Sequence, residues 1–163
     1  MSQIAAQPLA RNVFTTLAHD DPDAAARTTE QMNLQVIQRM YEAFLRRDVV
    51  ALLDDMAEDI EWNIAGPAEV PFTGAVRGRG EVVRVLQKSF ATVKDQQPEV
   101  RQVMAEGDTV KVHGYERGTH QPTGNPYETS WVHVFTLHDG KVVKFHEEFD
   151  HAPILDAMGV AAK

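Results

Sequence analysis

The chain has 163 residues, enough for one domain with a substantial core, and carries a formal net charge of −8. That acidity, with no basic stripe, argues against a nucleic-acid partner, and the absence of cysteine excludes disulfides, thiolate metal sites and cysteine nucleophiles. No apolar run approaches the length of a membrane span, and the first residues, MSQIAAQPLARNVF, lack the basic-then-apolar pattern of a secretory signal, so a cytoplasmic protein with no membrane partner is the expectation.

Residues 1–27 have weak periodicity and read as an N-terminal extension, with Asp21-Pro22 as a candidate helix start and no amphipathic stripe that folding would need. A domain is expected over 28–160. It opens with a helix from Thr28 to Arg47, in which Leu34, Ile37, Tyr41, Phe44 and Leu45 recur at three- and four-residue steps. Asp48 then caps a short helix through Met56, with Val49, Leu52, Leu53 and Met56 inward. Asp59 to Ile64 alternates as a strand, Ile60, Trp62 and Ile64 on one side. A loop follows, and Gly78-Arg79-Gly80 within it has neither the spacing nor the lysine-hydroxyl pair of a phosphate loop. Glu81 to Thr92 is a third helix, with Val82, Leu86 and Phe90 on its inner stripe.

After Pro98 the pattern is all strand. Glu99–Ala105 and Thr109–Thr119 meet at Glu106-Gly107-Asp108, the turn-rich Pro122–Pro126 follows, and Tyr127–Asp150 forms a long hairpin about Asp139-Gly140. Connections this short give an antiparallel meander. A last helical turn, Ala152 to Met158, stops at Gly159. Three helices followed by such a sheet predict an α+β fold: a cone-shaped roll of curved antiparallel sheet wrapped around three N-terminal helices.

The hairpin carries the chemistry. With a two-residue loop, Trp131, His133 and Phe135 share a face with Lys144, His146 and Glu148; with a glycine bulge at Gly140 they share it with Val143, Phe145, Glu147 and Phe149. The second register gathers the aromatics and is preferred. It leaves His133 and Glu147 inside an apolar face, diagonally across the strand pair and about 7–8 Å apart at their β positions. An imidazole beside a carboxylate can trade a proton near neutral pH, although a lone buried histidine is more often a satisfied core residue. Trp62, Ile64, Trp131, Phe135, Phe145 and Phe149 would wall a site for a small apolar molecule. Val132, Val134 and Val142 alternate to the outer face, where an apolar strip predicts a homodimer. Glu147, Glu148, Asp150 and His151 are close in sequence, but alternation sends Glu147 and Glu148 to opposite faces, so no metal is expected. No dinucleotide or flavin motif points to a cofactor either.

Four stretches, YEAFLRRDVVALLDDMAEDIEW, the helix start at Gly78-Arg79-Gly80, RGTHQPTGNPYE and WVHVFTLHDGKVVKFHEEFD, resemble the nuclear transport factor 2-like superfamily in its SnoaL-like, ketosteroid isomerase-related branch, over roughly residues 30–150. The resemblance implies a cofactor-free enzyme of isomerising, cyclising or dehydrating type. The branch also holds proteins without chemistry, so a ligand-binding or assembly module is the alternative. Tyr41 falls near the tyrosine that donates to the oxyanion in ketosteroid isomerases, His133 where those enzymes keep a protonated aspartate, and Ile64 where they keep the proton-moving aspartate. In SnoaL-like cyclases a histidine in an HVF-like context is followed by an acidic residue at the spacing of His133 and Glu147. Dehydratases of this fold use two histidines, which makes His113, with Tyr115, a candidate for the same pocket.

Overall fold

The computed structural model of the protein describes residues 24–160; residues 1–23 of the expected extension, Asp21-Pro22 included, lie outside the described residues, and its last four already belong to the first helix, which starts at Ala24 rather than Thr28. Helix α1 (Ala24–Leu45) leads into α2 (Val49–Asp54), and strand β1 (Met56–Ile64) follows. Then come β2 (Gly74–Arg77), α3 (Arg79–Thr92), β3 (Val93–Glu106), β4 (Thr109–His120), β5 (Pro126–His138), β6 (Lys141–Phe149) and α4 (Ala152–Met158). Asp48 caps α2 as expected, its carboxylate accepting from the Ala51 N–H at 3.1 Å. Gly159, in the left-handed region at φ 76°, ends α4.

One curved, unclosed sheet runs in the order β2-β1-β6-β5-β4-β3. Strands β3 to β6 form the expected meander, but β1 lies parallel beside β6, so the sheet is mixed rather than wholly antiparallel. Three further details differ from the sequence expectation. Gly74–Arg77, read as loop, pairs with β1 as a short edge strand. Strand β3 begins at Val93 and passes through Pro98 without a break, which an edge strand permits because its outer N–H groups need no partner. Met56 starts β1 rather than ending α2.

The register of β5 on β6 is the one that gathers the aromatics, reached by another route. Asp139 and Gly140 have φ of 48° and 75°, the double left-handed geometry of a two-residue hairpin turn. The extra residue sits further on: Leu137 faces Val142 and Thr136 faces Lys144, leaving Val143 as the bulge. Val142 is therefore fully buried beside Leu137, and only Val132 and Val134 of the expected valine strip face outward.

Leu34, Ile37 and Met40 of α1, Leu52 of α2, and Val82, Val85 and Leu86 of α3 cover the inner face of the sheet. They meet Ile60, Trp62, Val110, Val112, Trp131 and Phe135 there. Arg79 acts locally, its Nε donating to the Met56 carbonyl at 2.9 Å and so tying α3 to β1.

Candidate active site

The inner face does not close completely. A cavity of about 120 Å³ remains between helices and sheet, far more than the ~10–15 Å³ that one water needs. Trp62, Ile64, Trp131, Phe135, Phe145 and Phe149 all line it, as the alternation on β1, β5 and β6 requires. Trp62 packs on Phe145 with ring centres 4.0 Å apart, and Phe72, from the loop before β2, meets Phe149 at 6.0 Å.

Tyr41, His133 and Glu147 come together in this wall. His133 and Glu147 are direct cross-strand partners, not diagonal ones, because the bulge at Val143 brings them onto one rung. Glu147 is hydrogen-bonded to Nε2 of His133, and the Tyr41 hydroxyl lies 2.7 Å from Nδ1. An ionised carboxylate can only accept, so Nε2 then carries the ring proton and Nδ1 accepts from Tyr41. The imidazole is clamped as well as bonded. Trp131 stacks on it with centres 4.0 Å apart and planes 16° from parallel, and Phe145 and Phe135 meet it edge-on at 5.2 and 6.0 Å. Side-chain exposures of 12% for His133 and 18% for Glu147 leave the pair just within reach of the cavity. Burial, and then the charge of Glu147, hold the Tyr41 phenol well above its ordinary pKa, so it remains a proton donor.

The position of Ile64 is informative. It is buried and lines the cavity, and its partner on the neighbouring strand of the parallel β1–β6 pair is Glu147. Partners in register present their side chains to the same face. The carboxylate that the resemblance puts at Ile64 is thus absent there, and another stands one strand over. The Glu147 carbonyl also accepts from the Ala65 N–H at 2.9 Å, fixing the end of β1 against this part of β6.

His113 and Tyr115 do not join the site. On β4 the inward residues are Val110, Val112, Gly114 and Glu116; His113 and Tyr115 point to the outer face, where Tyr115 bonds Glu128 and lies under the Arg101 guanidinium. Glu116 is the cavity residue that the sequence reading missed. Its Oε2 accepts from the Tyr127 hydroxyl at 2.6 Å and from the Gln96 amide at 3.1 Å. Burial is the main cause of its raised pKa, with the charge of Glu147 adding to it, while the two hydrogen bonds and His133 oppose it. Its place in phase with the buried Val110-Val112-Gly114 run was the available signal. The indole N–H groups of Trp62 and Trp131 are buried without an acceptor among the described residues.

The profile of the SnoaL-like domain family matches residues 37–145. No curated protein sequence is significantly similar to the chain. Among solved structures, a nuclear transport factor 2-like protein of Burkholderia xenovorans is 30% identical, with a TM-score of 0.69 over 78% of this chain and 96% of that one. Another such protein, from Burkholderia thailandensis, is also 30% identical, with a TM-score of 0.68 over 76% and 95% of the two chains. IdmH of Streptomyces antibioticus, a candidate polyketide cyclase, is 29% identical, with a TM-score of 0.65 over 78% and 99%. Of the described residues, no helix is long and apolar enough to cross a membrane. With two thirds of its length matching the family profile and the curved sheet and helices in the same arrangement, the chain belongs to the SnoaL-like family of the nuclear transport factor 2-like superfamily.

Proposed function

We propose that this protein is a cofactor-free enzyme that enolises an apolar ketone in the cavity, with Glu147 as the base, Tyr41 as the donor to the carbonyl oxygen, and His133 linking them. The observation that carries the reading is the chain Tyr41–His133–Glu147 bordering the cavity, its imidazole packed among the rings of Trp131, Phe135 and Phe145. Both ring nitrogens of His133 are engaged, so it acts through its neighbours, whereas Oε2 of Glu147 makes no hydrogen bond among the described residues. When His133 is neutral, Nδ1 accepts the Tyr41 O–H. When Nδ1 is protonated it donates to the Tyr41 oxygen instead, and the phenol O–H is released toward a ligand oxygen.

In that state the α C–H bond of the ketone breaks, its proton passes to Glu147, and the electron pair moves onto the carbonyl oxygen, where Tyr41 backed by the imidazolium stabilises it. Return of the proton to a conjugated carbon is isomerisation; attack of the enolate on a second carbonyl of the same molecule is cyclisation; loss of a β-hydroxyl is dehydration. The likeness to a candidate polyketide cyclase fits this class of chemistry. A purely ligand-binding module is the second reading, favoured by Ile64 standing where ketosteroid isomerases keep their base.

The test is α-proton exchange of 2-tetralone in deuterated buffer, followed by NMR. Exchange well above buffer is expected, reduced about 10²–10⁴-fold in Glu147→Gln and in His133→Gln, the usual worth of an acid-base group. The loss in His133→Gln should fall on kcat rather than KM, and the double variant should lose little more than either single one. Wild-type protein that exchanges no faster than buffer would leave only the binding reading.

A further inference from the structure

The cavity has a second polar wall that the acid-base chain does not use. Along β4, Val112 lies opposite His133 and Glu116 lies opposite Thr129. Those four residues place Glu116 about 13 Å along the strand from the His133 rung, yet both side chains border the same cavity. Two local features shape this wall. Asp95 takes φ 53° at a bulge between Lys94 and Gln97, which brings Gln96 out of the regular β3 ladder to donate to Glu116. Gly118 leaves room for Tyr127 to lie across β4 and donate from the other side; a β-carbon there would stand 2.5 Å from the phenol oxygen. Both donors take Oε2, and Oε1 has no hydrogen-bond partner among the described residues. An oxygen that accepts two hydrogen bonds has no lone pair left for a proton, so a protonated Glu116 carries its hydrogen on Oε1.

We propose that Glu116 is the specificity-determining residue of the cavity, donating from Oε1 to a ligand oxygen remote from the reacting carbonyl and so selecting elongated, planar, apolar ketones with an oxygen acceptor at the far end. This deepens the enolisation reading and depends on its placement of the carbonyl at Tyr41. Burial favours the acid form of Glu116, and Glu147, a like charge across the cavity, adds to it. The hydrogen bonds from Tyr127 and Gln96 and the opposite charge of a protonated His133 favour the carboxylate, but burial outweighs them.

The probes are 2-tetralone and 6-methoxy-2-tetralone, identical at the carbonyl and differing by one acceptor at the opposite end of the ring system. Dissociation constants can be read from quenching of the tryptophans, since Trp62 and Trp131 line the cavity. The wild-type protein should bind the methoxy ketone about five- to tenfold more tightly, the worth of one hydrogen bond. Glu116→Gln, which keeps a donor at the same place and an acceptor for Tyr127, should retain most of that preference. Glu116→Met should abolish it while still binding 2-tetralone. The wild-type preference should fade as pH rises through the Glu116 titration, and that of Glu116→Gln should not; the ratio of the two ketones cancels any effect at the carbonyl end. Equal affinity for the two ketones in the wild type, a preference that survives Glu116→Met, or no binding of either ketone would overturn the proposal. Proton exchange separates it from the parent reading. A preference without exchange leaves Glu116 standing and removes the enzyme, and exchange without a preference does the reverse.

Discussion

Gly114 is the position where the smallest substitution should disturb the site most. It faces Trp131 across the β4–β5 pair, and a β-carbon on it would stand 2.2 Å from Cζ2 and 2.3 Å from Cη2 of the indole. Ordinary contact begins at 3.4 Å, so Gly114→Ala needs the ring or the strand to move by about 1 Å. The ring has little room, for its other neighbours are the His133 imidazole at 4.0 Å and the Tyr41 ring at 6.1 Å. Overpacking of this kind costs about 1–3 kcal/mol, and for a chain of this size each kcal/mol lowers Tm by about 2–4 °C. A fall of roughly 3–10 °C is expected in a thermal melt followed by near-ultraviolet circular dichroism, where the indole band itself should change. Displacing His133 by a similar distance should cut proton exchange by about 10²-fold, because misplacement by 1 Å is enough for that. A Gly114→Ala protein with wild-type Tm and an unaltered tryptophan band would refute the packing account. Lost exchange with no spectral change would refute the link between Trp131 and His133.

Two more outcomes can be measured without knowing a substrate. Glu116 binds its proton more tightly in the folded chain than in the unfolded one, so the folded state holds more protons between the ordinary carboxylate pKa and the raised value. Stability should therefore fall as pH rises through that window, by at most about 1.4 kcal/mol per pH unit. Subtracting the Glu116→Gln curve from the wild-type one in urea titrations isolates this slope, and parallel curves would contradict it. We also propose that the outer sheet face pairs two copies through Val132 and Val134, which are half-buried and neighboured by Lys111, His113, His146 and Glu148. Light scattering should give a dimer at micromolar concentration and a monomer for Val134→Glu; a monomeric wild type would remove the idea.

Alternation made most of the sheet readable, because one buried face imposes a period of two on Trp131, His133, Phe135 and on Phe145, Glu147, Phe149. The place of the bulge was not readable. Val142 and Val143 are the same residue type, so burying either satisfies the pattern, and only the turn geometry at Asp139 and Gly140 decides between them. The face of β4 was obscured by Gly114 and Gly118, which carry no hydrophobic signal although both point inward under aromatic rings. With that phase hidden, His113 and Tyr115 looked eligible and Glu116 went unnoticed. The parallel pairing of β1 with β6 joins segments some eighty residues apart, a distance at which local pattern is silent. The meeting of Ile64 with Glu147 could only be seen in the folded chain.

The order of the strands divides the cavity by mobility as well as by chemistry. Strands β6 and β5, which carry Glu147 and His133, occupy the middle of the sheet, whereas Gln96 belongs to β3 at its rim. Amide hydrogens in central strands exchange only when much of the fold opens, while edge strands fray at far lower cost. The end of the cavity that would handle the proton is therefore expected to rest on slowly exchanging backbone. The end that would judge the ligand's length rests partly on the edge strand, where local opening is expected to cost less, so ligands of different length should be accommodated there without loosening the geometry of the reactive pair.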